Sequence, residues 1–169
     1  LSNSQGQTLR LFNADTVAMG ASRREPGRRA NETMRQASFG RIFYLAEREV
    51  TNAQFRAFAS GHDSGNFQDQ DLDEDDQPVV NVSWDEAASY CNWLSGQEGL
   101  TPFYDIEFAK VKGTNPSATG YRLPTEAEWA WAARRQASSE IGRTLSKQLK
   151  FAWVDALPPP ERFANYADL

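Results

Sequence analysis

Three stretches of the chain place apolar residues at helical spacing directly behind a hydroxyl. In Thr51-Asn52-Ala53-Gln54, Ser83-Trp84-Asp85-Glu86 and Thr125-Glu126-Ala127-Glu128, a Ser or Thr precedes a Gln or Glu by three residues. That spacing is the capping box, in which each side chain satisfies a backbone donor left open at a helix start. The pattern predicts a first helix that runs through Phe55 and Phe58 and stops near Gly61. A second carries Trp84, Ala87, Ala88, Cys91 and Leu94 on one apolar stripe and stops near Gly96, with Trp84 largely buried. A third turns Trp129, Ala132 and Ala133 inward. Trp129 and Trp131 cannot share a helical face, so one belongs to the core and the other packs against a loop.

Between the helices the alternation is weaker. Residues 39–50, FGRIFYLAEREV, read as a strand with Phe39, Phe43 and Leu45 on one side. Val79 to Val82 reads as a short apolar strand feeding the second capping box. Residues 101–121 form a long excursion, and residues 155–168, with three consecutive prolines, show no periodicity. So much irregular chain in a domain of this size points to loops that carry function.

Composition narrows the chemistry. With 169 residues, 40% of them hydrophobic, the chain can bury a real core, and it reads as a single domain over 1–169. A net charge of −5 gives no case for nucleic acid or an anionic membrane as partner. No apolar run approaches the length of a membrane span, and LSNSQGQTLR lacks the basic and apolar regions of a signal peptide, which leaves the compartment open. One cysteine, Cys91, and one histidine, His62, exclude an internal disulfide, a cysteine metal cluster and a multi-histidine metal site within this chain.

Several local features invite a sharper reading and lose to a plainer one. Asp69, Asp71 and Asp73 alternate as in a calcium loop, but the sixth and twelfth positions hold Glu74 and Val80 instead of Gly and Glu, so a solvated surface loop is favoured. The basic run RREPGRR at 23–29 sits among loop formers and reads as a surface segment. Cys91 lies mid-helix on the apolar stripe, without a helix N-terminus or nearby histidine to activate it, and reads as a small hydrophobe. His62, after Gly61, reads as a cap or loop residue.

"EREVTNAQFRAF" at 47–58, "QPVVNVSWDEAASYCNWLS" at 77–95 and "GYRLPTEAEWAWAAR" at 120–134 resemble three N-terminal signatures of the formylglycine-generating enzyme (sulfatase-modifying factor) family. "VAMG" at 17–20 resembles its opening strand and turn, and "FAWVDALPPPERFANYAD" at 151–168 resembles a later segment. The resemblance implies a C-type-lectin-like α+β fold with little regular secondary structure, several capped helices and short strands. It also implies an oxidase that uses O2 and copper to convert a cysteine of a sulfatase peptide into formylglycine.

The sequence departs from that pattern at the chemistry. The family's catalytic cysteine pair belongs to a C-terminal part expected after Leu169, so no catalytic residue is assigned in this chain and the chain alone is expected to be inactive. A single cysteine cannot replace a pair that binds Cu(I). The domain is thus expected to be incomplete at its C-terminus, its remaining part a candidate partner. Two roles carry over by position. Glu49 matches an acidic residue lining the substrate cleft, although a strand-end role bonding nearby backbone is equally open. Asn165 and Tyr166 match the start of a structural Ca²⁺ site, for which oxygen ligands from an irregular loop are suited. The carboxylates of residues 120–134 read as structural, with Glu128 the capping acid and Glu126 in a first turn that favours negative charge.

The insertion at 94–124 is longer than the link expected of sulfatase activators and resembles a bacterial branch of the family. A second reading is therefore a non-catalytic lectin-like binding module for a peptide, glycan or protein. A sulfoxide synthase of the ergothioneine type shares the domain, but needs a histidine-rich iron site in another domain.

Overall fold

A computed structural model describes residues 1–13, 16–24 and 28–134. Its contacts group the chain into two units, Leu1–Leu11 with Tyr44–Leu123, and Phe12–Phe43 with Pro124–Leu169.

In the first unit, β1 (Leu9–Phe12) pairs with β4 (Phe43–Ala46), each running one residue beyond the unit. The Glu47 amide extends the pairing by donating to the Thr8 carbonyl at 2.9 Å. The ordered strand is much shorter than the 39–50 alternation predicts. Residues 39–42 form no part of it, and Arg35–Ser38 before them forms a separate strand.

Helix α1 (Asn52–Arg56) starts at Thr51, whose hydroxyl accepts from the Gln54 amide while Gln54 Oε1 accepts from the Thr51 amide. It ends well before Gly61. Beyond its end the bonds are mixed: Phe58 N donates to Phe55 O and His62 N to Ala59 O, three residues back, while Ala59 N still donates to Phe55 O, four back. Phe58 nevertheless packs on the core with Phe55 and Tyr90.

Residues 79–82 form no strand. Pro78 makes a single bridge to Thr51, the Val79 amide donates to Val50 O at 2.9 Å, and Asn81 then adopts φ 58°, which ends the extended run. Helix α2 (Trp84–Gln97) follows, with the Ser83–Glu86 capping box in place. Its buried face holds Ala88, Tyr90, Cys91, Leu94 and Ser95. Trp84 is 55% exposed, contrary to expectation, because as the first helical residue it lies at the end of that face; its ring meets Tyr104 edge-on, with centroids 5.5 Å apart.

The excursion at 101–121 contains a hairpin of β7 (Tyr104–Glu107) and β8 (Lys110–Thr114), preceded in chain order by the small hairpin β5 (Asn66–Phe67) and β6 (Gln70–Asp71). At the tip of β7–β8, Phe108 and Ala109 both take positive φ, and Phe108 points almost wholly into solvent. Two clusters form the core of this unit. Phe55, Tyr90 and Leu94 centre one; Ala88, Cys91 and Tyr104 centre the other. Tyr121 contributes to both. Gly120 is needed here: a Cβ at this position would stand 2.4 Å from Ser95 Oγ and 2.5 Å from the Thr101 carbonyl.

In the second unit, β2 (Thr16–Met19) and β3 (Arg35–Ser38) pair antiparallel, with Val17 opposite Ala37 and Met19 opposite Arg35. Val17 and Met19 are buried, and helix α3 (Glu126–Arg134) packs against β2. Gly20 turns the chain out of β2 at φ 81°, with the Thr33 carbonyl only 2.4 Å from where a Cβ would sit. The strand-and-turn reading of Val17–Gly20 is thereby observed. On α3 the inward tryptophan is Trp131, 2% exposed, and Trp129 is 62% exposed. The buried face is set by Glu128 and Trp131, three residues apart on one side of the helix, and Trp129 lies about 100° round from Glu128.

Candidate functional site

The residues at the start of α3 answer for their own carboxylates. The Thr125 amide donates to Glu128 Oε2 at 2.8 Å, the Thr125 hydroxyl reaches the same oxygen at 3.0 Å, and the Glu128 amide donates to Thr125 Oγ1 at 3.2 Å. Glu128 is buried in this role. Glu126 is exposed and pairs with Arg35 at 3.1 Å. The Glu128 bonds are local to the start of α3, in keeping with the reading of these carboxylates as structural.

Beside that helix start, within the same unit, runs an open groove of about 620 Å³. One wall is the first turn of α3, Thr125 to Glu128; the other is the consecutive run from Arg35 to Arg41, with Met19 at the base. The lining carries the cations Arg35 and Arg41 and the carboxylates Glu126 and Glu128; Arg35 pairs with Glu126, and Arg41 has no ion-pair partner among the described residues.

In the other unit, polar side chains brace loops. Asn52 is fully buried, and its amide donates at 2.8 Å to the carbonyls of both Leu72 and Glu74. Its Oδ1 accepts from Ser64 Oγ at 2.6 Å. Asp73 accepts from the Ser64 amide at 2.8 Å and pairs with Arg56 at 2.9 Å. The Ser64 amide, assisted by Arg56, holds the Asp73 carboxyl below its ordinary range. The acidic run at 69–76 thus begins in a hairpin and ends in a braced loop. Among the described residues no three His, Cys, Asp or Glu side chains are grouped to hold a metal ion.

Cys91 is buried on α2, and burial pushes its thiol up to about 12. A thiol so held supplies little thiolate near neutral pH, in keeping with its reading as a small hydrophobe. His62 is a loop brace: Nε2 lies 3.0 Å from the Val80 carbonyl and 3.3 Å from Ser64 Oγ, and the ring packs on Phe55. Glu49 is exposed between β4 and α1. Asn165, Tyr166 and the prolines of 155–168 lie outside the described residues, as do residues 25–27 of the basic run. Of that run, Arg28 Nε donates to the carbonyls of Ala21 and Glu32, closing the turn after β2.

Sequence reasoning missed the bracing amides and the groove. Asn52 and Asn92 are ordinary helical asparagines in the sequence, and nothing local reveals the loops they hold. Glu98 likewise accepts from the Ser4 amide and the Tyr121 hydroxyl, both distant in sequence.

The family pattern described as "Sulfatase-modifying factor enzyme 1-like domain" matches residues 4–168. The chaperone protein LppX of Paenibacillus barcinonensis is 32% identical over 136 residues, covering 70% of this chain and 46% of LppX. The formylglycine-generating enzyme of Streptomyces coelicolor is 34% identical over 86 residues, 51% of this chain and 17% of the enzyme. Among solved structures, Treponema denticola variable protein 1 superposes with a TM-score of 0.60 at 25% identity, over 76% of this chain and 52% of that one. CarF does so with a TM-score of 0.56 at 28% identity, over 77% and 57%. The chain therefore spans about half the length, or less, of these relatives. No helix among the described residues is long and apolar enough to cross a membrane. A motif set in the family's order, a family match across nearly the whole chain and mixed helix and strand content shared with its solved relatives lead to one conclusion: the chain belongs to the formylglycine-generating enzyme (sulfatase-modifying factor) family and has its C-type-lectin-like α+β fold.

Proposed function

We propose that this chain serves as a non-catalytic binding module for a polypeptide partner. The observation that carries this reading is the likeness to LppX, a protein named as a chaperone and 32% identical over 136 residues, which supports a partner of polypeptide chemistry. Cys91, the thiol of this chain, is buried mid-helix, and burial raises its pKa, so it offers no substitute for a copper-binding cysteine pair. The test is equilibrium binding of the intact protein to a permanently unfolded chain, reduced and carboxymethylated α-lactalbumin. Association at micromolar concentration is expected; none at any accessible concentration would sink the reading.

The second reading is a formylglycine-generating oxidase, favoured by the identity to the Streptomyces coelicolor enzyme. Under it, Glu49, exposed beside α1, contacts the cysteine-containing sulfatase peptide, and the cysteine pair that holds copper comes from outside these 169 residues. Asn165 and Tyr166, with further oxygen ligands, bind a structural Ca²⁺. Formylglycine detected by mass spectrometry in a Cys-X-Pro-X-Arg peptide treated with the intact protein, O2 and copper would establish this reading over the first.

A further inference from the structure

Every residue of the first unit is described, and its most exposed large apolar side chain is Phe108. β7 and β8 pair as far as Glu107 and Lys110, so Phe108 and Ala109 are the two central residues of the turn. Both take positive φ, 50° and 58°. A two-residue turn of this type selects Asn-Gly, because a Cβ in the left-handed region crowds its own backbone. A bulky aromatic is poorly suited to it. Strain of this kind persists where the surrounding structure holds it, and it gathers at functional sites.

The hairpin is held firmly. Asp85 of α2 accepts from Lys110 Nζ at 2.8 Å and from the Val111 amide at 3.0 Å. Ile106 and Val111 pack on Ala88, Cys91 and Tyr104, and Asn92 bonds both backbone groups of Tyr104. The Phe108 ring takes no part in this packing, being almost wholly exposed. Folding alone therefore favours a different residue at 108.

Trp84 is a second exposed aromatic on the same substructure. Its ring meets Tyr104, and Phe108 follows Tyr104 by four residues, about 13 Å along an extended strand. A short extended segment can therefore reach both rings. Charge beside them is mixed, with Asp105 and Glu107 on β7 and Lys110 and Lys112 on β8. Lys110 is paired with Asp85 and the protein carries −5, so an anionic bilayer finds no net attraction here. What the tip offers is aromatic area on a convex, braced support. A folded protein meets a convex ring only with a matching pocket. An unfolded chain exposes apolar side chains along its length and can wrap around one.

We propose that the β7–β8 tip grips exposed apolar segments of an unfolded polypeptide, with Phe108 as the main contact and Trp84 as the second. This rests on the binding-module reading and gives that module its site.

The experiment is an anisotropy titration of fluorescein-labelled, reduced and carboxymethylated α-lactalbumin with the intact protein and its variants, alongside urea melts. Phe108→Asn is expected to weaken binding about 10-fold, as loss of an aromatic anchor does, and to raise the urea midpoint, because Asn accepts positive φ. Weaker binding by a more stable variant excludes misfolding as the cause. Phe108→Trp is expected to keep the affinity within about 2-fold, and Trp84→Ala to lower it about 3-fold. Unchanged binding by Phe108→Asn would overturn the tip as the site and leave the binding-module reading standing; no binding by the unaltered protein would remove both. Phe108→Trp binding as weakly as Phe108→Asn would overturn the aromatic contact. Co-sedimentation with phosphatidylcholine vesicles that Phe108→Asn abolishes, with α-lactalbumin binding unaffected, would assign the tip to a bilayer and overturn the proposal.

Discussion

The side-chain amide of Asn92 pairs with the backbone of Tyr104 as a neighbouring strand would. Its Nδ2 donates to the Tyr104 carbonyl at 2.7 Å, and its Oδ1 accepts from the Tyr104 amide at 3.1 Å. One residue of α2 thus fixes where β7 begins and seats the Tyr104 ring against Ala88 and Cys91. Asn92→Ala leaves a partly buried donor and acceptor without partners, and is expected to cost about 2 kcal/mol in a urea melt. Asn92→Asp, which keeps the acceptor and loses the donor, is expected to cost a similar amount, because the Tyr104 carbonyl then faces a carboxylate.

Two tryptophans, one buried and one exposed, give a paired stability test. Trp131 is 2% exposed, and Trp131→Ala is expected to cost about 3–5 kcal/mol, as truncation of a buried aromatic does. Trp84 is 55% exposed and meets one ring edge, so Trp84→Ala is expected to cost only about 1 kcal/mol. Equal losses in urea melts would mean that one of these two placements is wrong.

At the α3 start, Thr125→Ala removes the acceptor of the Glu128 amide and is expected to cost about 1 kcal/mol. Glu128→Gln retains an oxygen for the Thr125 amide and is expected to cost less. The reverse order in thermal or urea melts would assign Glu128 a role beyond the cap.

Acid stability depends on Asp73. Its folded carboxyl titrates below the ordinary range, chiefly through the Ser64 amide, so its contribution is fully present above about pH 4 and is lost as pH falls through the lowered value. Asp73→Asn is expected to flatten stability against pH in that window. Arg56→Gln is expected to flatten it less, since the amide bond remains. If Arg56→Gln flattens it fully, the ion pair rather than the amide holds the carboxylate.

Much of this was legible in the sequence, for a physical reason. A capping box is a contact between residues three apart, and all three were present as the sequence predicts. The family motifs likewise lie in contiguous runs. The misjudged elements depend on distant partners. Trp84 and Trp129 are apolar at helical spacing, yet burial requires an opposing surface that Trp131 meets and they do not. Val79 to Val82 has strand composition, but a strand needs a neighbour beyond one bridge at Pro78. The braces of Asn52, Asn92 and Glu98 join residues 12 to 94 apart and leave no local trace. The groove wall of Arg35 to Arg41 begins with β3, which lies just before the longer strand that the alternation suggests from Phe39.

The most direct test of a binding module whose only thiol is structural is mass spectrometry of a Cys-X-Pro-X-Arg peptide incubated with this 169-residue chain, O2 and copper, alongside its Cys91→Ser variant. The expected result is no formylglycine above a no-protein control from either. Formylglycine from the unaltered chain that disappears in Cys91→Ser would make Cys91 reactive and contradict both the buried, protonated thiol and the reading of this chain as non-catalytic.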